Sequence, residues 1–346
     1  MNRDRVDRLR ESLEEPLLVS APANVVYLTG LDSSNAAVLV EPDRVQVFAD
    51  FRYAEAGRAV EGAEFVETKR DLYTDLAERL SGRIGFEAEV VTYRRYASLV
   101  EGGLDLVPRY GLVERLRAVK DESEVAAMRR GSEITSQALE RFAEERFTGR
   151  TERELAWRLE QLFHEFGASG PAFEPIVAGG PNGARPHSRP TDRRFEPGET
   201  IVIDAAAQVD GYVTDCTRTF ATGPLPDRLQ EAYDATLAAQ LAGLDGIKPG
   251  ISGVDADTSA RSVIEDAGFG EEFGHGLGHG VGIEVHEAPR LSQQSQDTLA
   301  EGNVVTVEPG IYLAGEGGIR IEDLVVVREN GPEILTTFTK ELVTVT

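Results

Sequence analysis

Along the N-terminal third of the chain, short apolar runs alternate with segments of helical period. PLLVS (16–20), NVVYLTG (24–30), AAVLV (36–40) and VQVFAD (45–50) read as strands. RYAEAGRAV (52–60), LYTDLAERL (72–80) and RRYASLVEGG (94–103) read as helices, and such alternation predicts a small α/β layer. A long charged stretch of helical period follows at 111–147. The character of the chain changes within it, near 116–120, which predicts two domains, 1–117 and 118–346.

The second region opens on a helix signalled by TERE (151–154), where Thr151 and Glu154 form a capping-box pattern ahead of LAWRLEQLFHEFG. PIVAGG, TIVIDAAAQ and YVTDCTRTFATG then read as strands broken by glycine and proline. Two helical segments follow at 229–246 and 254–268, and NVVTVEPGIYLA, GIRIEDLVVV and ILTTF close the chain as strands. Blocks of helices beside antiparallel strands predict an α+β domain, and the recurrence of a helix pair followed by a hairpin hints at a duplication. Gly131, inside the long helical stretch, is expected to cost roughly 1 kcal/mol of helix stability.

Two of the predicted hairpins carry paired acids. Asp210-Gly211 marks the turn of TIVIDAAAQVDGYVTDCTRTF, and Asp204 and Asp215 lie symmetrically about a point between Val209 and Asp210, facing one another in a simple register. Glu308 and Glu322 are likewise equidistant from Gly315 in the turn AGEGG. Opposed carboxylates repel unless a cation lies between them. Four such oxygen donors with a nearby imidazole suit a binuclear site, and two divalent cations would neutralise them.

An imidazole source is at hand in HGLGHGVGIEVHE (275–287), which holds three of the five histidines. His164, within LAWRLEQLFHEFG, is expected to be structural, and Thr217-Arg218-Thr219 to be strand packing. HEAPR lacks the second histidine of a helical zinc motif, and no phosphate loop, GxGxxG or GxSxG is present.

Composition narrows the setting. No run approaches the roughly 18 apolar residues needed to cross a bilayer, and the charged N-terminus has no apolar signal core, so a cytoplasmic protein is expected. Cys216 is the single cysteine, which excludes an intrachain disulfide and a Cys-rich zinc site. With 60 acidic and 36 basic residues the formal charge is -24, which argues against nucleic acid and anionic membranes as partners. Only four of the basic residues are lysines, and this acidic, lysine-poor balance suggests a salt-loving host.

The motifs, in order and spacing, resemble the pita-bread metallopeptidase family, which includes Xaa-Pro dipeptidase (prolidase), aminopeptidase P, methionine aminopeptidase and the metal-free creatinase. NVVYLTGLDSSNAAVLV with ADFRY resembles the N-terminal domain of its proline-specific branch. PNGARPHSRPTDRR, IDAAAQVDGYVTDCTRTF, HGLGHGVGIEVHE, VTVEPGIY and GIRIED resemble its catalytic domain. The resemblance implies five metal ligands, Asp204, Asp215, His279, Glu308 and Glu322, holding two divalent ions. Oxygen-rich ligation suits Mn(II) or Co(II), with Zn(II) or Fe(II) as alternatives.

It further implies Glu308 as general base, His187 and His286 as substrate contacts that stabilise the tetrahedral intermediate, and His275 as a further pocket histidine. Arg290 matches a position that pairs with a substrate carboxylate, and Tyr312 and Arg320 match positions beside the metals. Ala206 stands where the family usually has glycine, so a crowded sheet is expected there. The implied substrates are proline-containing di- or oligopeptides, and the implied assembly is a homodimer. A dipeptidase is favoured by the short chain; aminopeptidase P, a metal-free creatinase-like hydrolase and an idle paralogue are the alternatives.

Overall fold

In a computed structural model describing residues 1–346, the long helical stretch breaks into two helices, Leu112–Ala118 and Glu122–Phe142. Asp121 starts the second: its side chain accepts from the Ser123 and Glu124 N–H groups, and Glu124 returns to the Asp121 N–H at 2.9 Å. This reciprocal cap satisfies donors that a helix start leaves orphaned. The chain divides beside this break into two compact units, Met1–Arg117 and Ala118–Thr346.

The first unit is a mixed sheet of six strands, β1 (Leu17–Val19), β2 (Ala36–Val40), β3 (Val45–Asp50), β4 (Glu64–Thr68), β5 (Arg83–Glu87) and β6 (Asp105–Arg109), in the order β4-β3-β2-β1-β5-β6. The β3–β4, β1–β5 and β5–β6 pairs are parallel. Leu18, Leu39, Phe48, Leu76, Phe86 and Leu99 fill its core. NVVYLTG is a helix, Pro22–Thr29, rather than the strand its two valines suggest. Pro22 occupies the first turn, where its missing N–H is harmless, and Gly30 ends the helix in the left-handed region at φ 74°. Those end signals, with Val25, Tyr27 and Leu28 all buried, outweigh a weak β propensity.

The second unit repeats one element order twice. Helices Glu122–Phe142 and Glu152–Glu165 precede β7 (Gly170–Pro171), β8 (Ile176–Gly179), β9 (Thr200–Asp204), β10 (Ala207–Val209), β11 (Tyr212–Val213) and β12 (Thr217–Ala221). Helices Asp227–Gly246 and Gly253–Asp266 precede β13 (Gly278–Gly280), β14 (Glu287–Leu291), β15 (Val304–Val307), β16 (Gly310–Leu313), β17 (Gly317–Arg320) and β18 (Asp323–Val326); β19 (Glu333–Ile334) and β20 (Val343–Thr344) complete the sheets. The two halves form sheets ordered β20-β12-β9-β8 and β14-β13-β15-β18-β19. In each half, one long hairpin bends midway and continues as a separate small ladder, β10–β11 or β16–β17.

Apolar faces hold the helices to these sheets. Phe142, Phe147, Phe163 and Phe220 are fully buried behind the first half, and Phe147 packs edge-on against Phe142 with centroids 5.0 Å apart. Gly131 has a packing reason to be glycine: a Cβ there would meet Thr214 Cγ2 at 2.7 Å. The helix can therefore lie close to the first hairpin. Ala206 does not distort that hairpin, whose register is continuous on both sides, from Thr200↔Ala221 to Val209↔Tyr212.

Candidate metal centre

The register of the first hairpin differs from the symmetric one expected. Asp210 and Gly211, at φ 51° and 82°, form a two-residue turn, the primed type that matches strand twist. This moves the centre of symmetry by one residue, so Asp204 faces Thr217 across the ladder. Asp215 instead lies diagonal to it, close enough to share a cation. The second hairpin has the expected register: Val307 pairs with Asp323 and Gly310 with Arg320, which sets Glu308 opposite Glu322.

The carboxylates of the two hairpins converge. One oxygen each from Asp204, Asp215 and Glu322 lies within 4.8 Å of the others. His279 Nε2 is 3.2 Å from Glu308 Oε1 and 3.8 Å from Asp215 Oδ2. His279 comes from β13, flanked by β14 and β15 in the second sheet, and the glycines beside it are there because the strands press together. A Cβ at Gly278 would meet the Thr306 carbonyl oxygen at 2.1 Å, and one at Gly280 the Ala288 carbonyl oxygen at 2.1 Å.

These residues fit divalent cations. Asp204 Oδ1, Asp215 Oδ1 and Glu322 Oε1 are buried without a hydrogen-bond partner, an expensive arrangement unless a cation completes it. The Nδ1 of His279 lies 3.0 Å from the Gly280 carbonyl oxygen. A carbonyl only accepts, so Nδ1 carries the proton and Nε2 is directed to the carboxylates, as in a metal-binding imidazole. Burial pushes the Asp215 and Glu322 carboxyls well above the usual range, and repulsion from neighbouring carboxylates adds to it. Burial also raises Asp204, an effect the Arg320 charge opposes. Glu308 behaves oppositely: burial favours its neutral form, but the hydrogen bond and charge of His279 outweigh this and hold it at about 2. His279 is raised in turn, because its bond to Glu308 overcomes desolvation.

Around this cluster lies a cavity of about 530 Å³. Four of the five histidines line it: His187, His275, His279 and His286. His164 does not; it is exposed near the end of helix Glu152–Glu165. The His286 ring lies against that of His279, tilted by 58° with centroids 4.3 Å apart, and burial with the nearby His279 and Arg290 charges lowers its basicity. His187 is exposed at the cavity wall. His275 is committed elsewhere: its Nδ1 lies 2.8 Å from the Gly276 carbonyl oxygen, so its Nε2 accepts from the Tyr312 hydroxyl at 2.9 Å. Desolvation lowers its basicity.

Tyr312 and Arg320 sit beside the acids. Arg320 donates to Asp204 Oδ2 at 2.7 Å, to Tyr312 Oη at 2.9 Å, to the Pro186 carbonyl at 3.2 Å and to Thr217 Oγ1 at 3.0 Å. Arg290 lies across from His279 on β14. Its backbone N–H donates to Asp297, while its guanidinium lines the cavity, exposed and without a carboxylate partner.

Thr217-Arg218-Thr219 does more than pack a strand. Thr217 donates to Glu322 Oε2 at 2.7 Å. Thr219 Oγ1 binds both backbone groups of Arg320, at 3.0 Å each. Arg218, buried, donates to Asp323 at 2.8 Å and to the Glu322 carbonyl. The sequence signal was available: a two-residue turn at Asp210-Gly211 puts Thr217, not Asp215, directly opposite Asp204.

Carboxylates gathered by two hairpins, with an imidazole from β13, beside a cavity define a metal-dependent hydrolase on a pita-bread fold. The chain belongs to metallopeptidase family M24, whose model matches residues 126–329, and it carries a Creatinase/Prolidase N-terminal domain at residues 5–119. It is 32% identical to the Xaa-Pro dipeptidase of Pyrococcus furiosus over 98% of this chain and 99% of that one. The structure of the Xaa-Pro dipeptidase from Bacillus anthracis superposes with a TM-score of 0.95 at 35% identity, covering 99% of each chain. An X-Pro aminopeptidase from Thermotoga maritima superposes at 0.89 with 35% identity, covering 99% of this chain and 100% of that one.

Proposed function

We propose that the chain hydrolyses the Xaa-Pro bond of dipeptides with two divalent cations, held by Asp204, Asp215, His279, Glu308 and Glu322. The observation that carries this reading is the set of buried, unpartnered oxygens on Asp204, Asp215 and Glu322 beside the Nε2 of His279. When bound, the cations would acidify a water and polarise the scissile carbonyl. Oxygen-rich ligation with a single imidazole favours Mn(II) or Co(II).

The chain's own groups supply the rest. Glu308, ionised at neutral pH, accepts the proton of the attacking water and returns it to the departing proline nitrogen. His187 and His286, on the cavity wall, donate to the oxygen where negative charge develops. His275 and Tyr312 brace Arg320, which holds Asp204 in place. Arg290 offers its unpaired guanidinium to the proline carboxylate. In a longer peptide that carboxylate is replaced by an amide, and this contact is lost. The likeness to an X-Pro aminopeptidase supports a second reading, in which the peptide continues past Arg290.

The test is metal analysis combined with a panel of Xaa-Pro dipeptides and Xaa-Pro-Yaa tripeptides at several salt concentrations. Metal-dependent cleavage with dipeptides preferred is the expected result. Efficient tripeptide cleavage with poor dipeptide cleavage would overturn the dipeptidase assignment. Activity that rises with salt would agree with ions screening the charge of -24.

A further inference from the structure

Glu152 is fully buried at the first position of helix Glu152–Glu165, outside the metal centre. Its carboxylate faces four donors. Oε1 accepts from the Gly179 N–H at 3.0 Å and from the Asn182 side-chain amide at 3.0 Å. Oε2 accepts from the Thr191 N–H at 2.9 Å, from the Thr191 hydroxyl at 2.6 Å and from the same Asn182 amide at 3.0 Å. A helix start favours negative charge, and a carboxylate, which only accepts, is the side chain that such a set of donors suits.

Those donors lie at the two ends of one segment. Gly179 and Asn182 open the run 179–191, Thr191 closes it, and His187 stands between them. Backbone fastens the exit again, since the Glu152 N–H donates to the Arg193 carbonyl and the Arg153 N–H to the Thr191 carbonyl, each at 3.1 Å. The middle of the segment rests on β17: a Cβ at Gly318 would meet the Gly183 carbonyl oxygen at 1.9 Å, and the Pro186 carbonyl accepts from Arg320 at 3.2 Å. His187 itself is exposed at the cavity wall. The path of this backbone, and not packing of the ring, therefore sets where the imidazole stands.

We infer that Glu152 is a positioning residue for His187: its carboxylate clasps both ends of segment 179–191 and so holds the imidazole at the cavity wall. The inference rests on the reading of His187 as a donor to the developing negative charge. Glu152→Gln keeps the size of the side chain, but an amide has one oxygen for two backbone N–H groups, those of Gly179 and Thr191, which reach opposite oxygens of the carboxylate. Whichever way the amide is turned, its NH2 confronts one of them. One end of the segment is then released.

The experiment compares Glu152→Gln, His187→Ala and the double variant with wild type, in steady-state cleavage of an Xaa-Pro dipeptide by Mn(II)-loaded protein and in hydrogen exchange of the metal-free protein. His187→Ala is expected to lose about 100–1000-fold in kcat, as for other lost donors to a developing oxyanion. Glu152→Gln is expected to lose roughly 10–100-fold in kcat with KM near wild type, the effect of misplacing a group that acts in the transition state. The double variant is expected to match His187→Ala, because a misplaced donor matters only while it is present. Exchange is expected to rise in 179–191 and to stay unchanged in β13 and β15, whereas an overall loss of stability would raise all three. If Glu152→Gln does not fold, Asn182→Ala and Thr191→Val remove the same bonds from the side of the segment. Wild-type kcat in the variants of this clasp, beside an impaired His187→Ala, overturns the inference, as do losses that multiply in the double variant or exchange that rises equally in β13 and β15. Wild-type kcat in His187→Ala overturns instead the reading of His187 on which the inference rests.

Discussion

Arg320 Nη2 donates to Asp204 Oδ2 at 2.7 Å, tying the end of the β17 strand to a carboxylate on the other hairpin. Arg320 is 3% exposed and the Asp204 side chain 15%, so little water can replace a lost partner. Arg320→Met should therefore destabilise the metal-free protein by about 3–5 kcal/mol, the usual effect of stranding one member of a buried pair. Mn(II) should narrow the gap, because the cation supplies positive charge to the same acids. Denaturant unfolding with and without the metal measures both effects. A metal-free Arg320→Met protein as stable as wild type would show that the pair carries no such weight.

Metal uptake should release protons. Asp215 and Glu322 have folded values well above the usual carboxylate range, through burial and then mutual repulsion, and His279 is raised by Glu308 against its desolvation. Each must give up its proton to become a ligand, so affinity should fall as the pH is lowered. The sign for stability follows from the same shifts. Raised carboxyls bind more protons folded than unfolded, so their contribution is fully present below the ordinary carboxylate value of about 4. It is lost as pH rises through their folded values, and metal should restore it. Calorimetry in buffers of different ionisation enthalpy counts the protons released, and zero protons near neutral pH would contradict this account.

Arg290 separates a dipeptide from a dipeptide amide. Its guanidinium lines the cavity without a carboxylate partner, so a substrate carboxylate would gain a charge-assisted pair worth about 1.5–3 kcal/mol. Arg290→Ala should raise KM for an Xaa-Pro dipeptide by roughly 10–100-fold and leave the corresponding amide nearly unaffected. Equal losses for the two substrates in steady-state kinetics would assign Arg290 a structural role.

Much of this centre was legible in the sequence because acids in hairpins leave a symmetric trace about their turns. Glu308 and Glu322 keep the register that Gly315 implies, and His279 stands among glycines that close packing requires. Thr217 is overlooked when Asp210-Gly211 is not taken as a two-residue turn, because a shift of one residue in the centre of symmetry moves the partner of Asp204 by two positions. In the first unit, Val25 and Val26 pointed to a strand, while Pro22 and Gly30 set the ends of a helix. The charged edge strands β4 and β6 lack the apolar alternation that marks a strand half-buried in a core. Local pattern reports which face is buried; it does not report turn geometry or which hydroxyl bonds to which carboxylate.

Gly131→Ala separates local propensity from packing. In an exposed helix the change should stabilise by about 1 kcal/mol. Here a Cβ would lie 2.7 Å from Thr214 Cγ2, within the helix–hairpin contact, and Thr214 is held by its bond to the Ala207 carbonyl at 3.1 Å. Overpacking of this kind typically costs about 1–3 kcal/mol, so the expected sign is destabilisation. Thr214→Ser removes the opposing methyl and keeps the hydroxyl. The double variant Gly131→Ala/Thr214→Ser should recover stability relative to Gly131→Ala alone. A double-mutant cycle read by thermal unfolding tests the contact, since two independent sites would give additive changes. Thr214 lies next to Asp215 in the same hairpin, so the single Gly131→Ala variant should also bind Mn(II) more weakly, with the double variant closer to wild type.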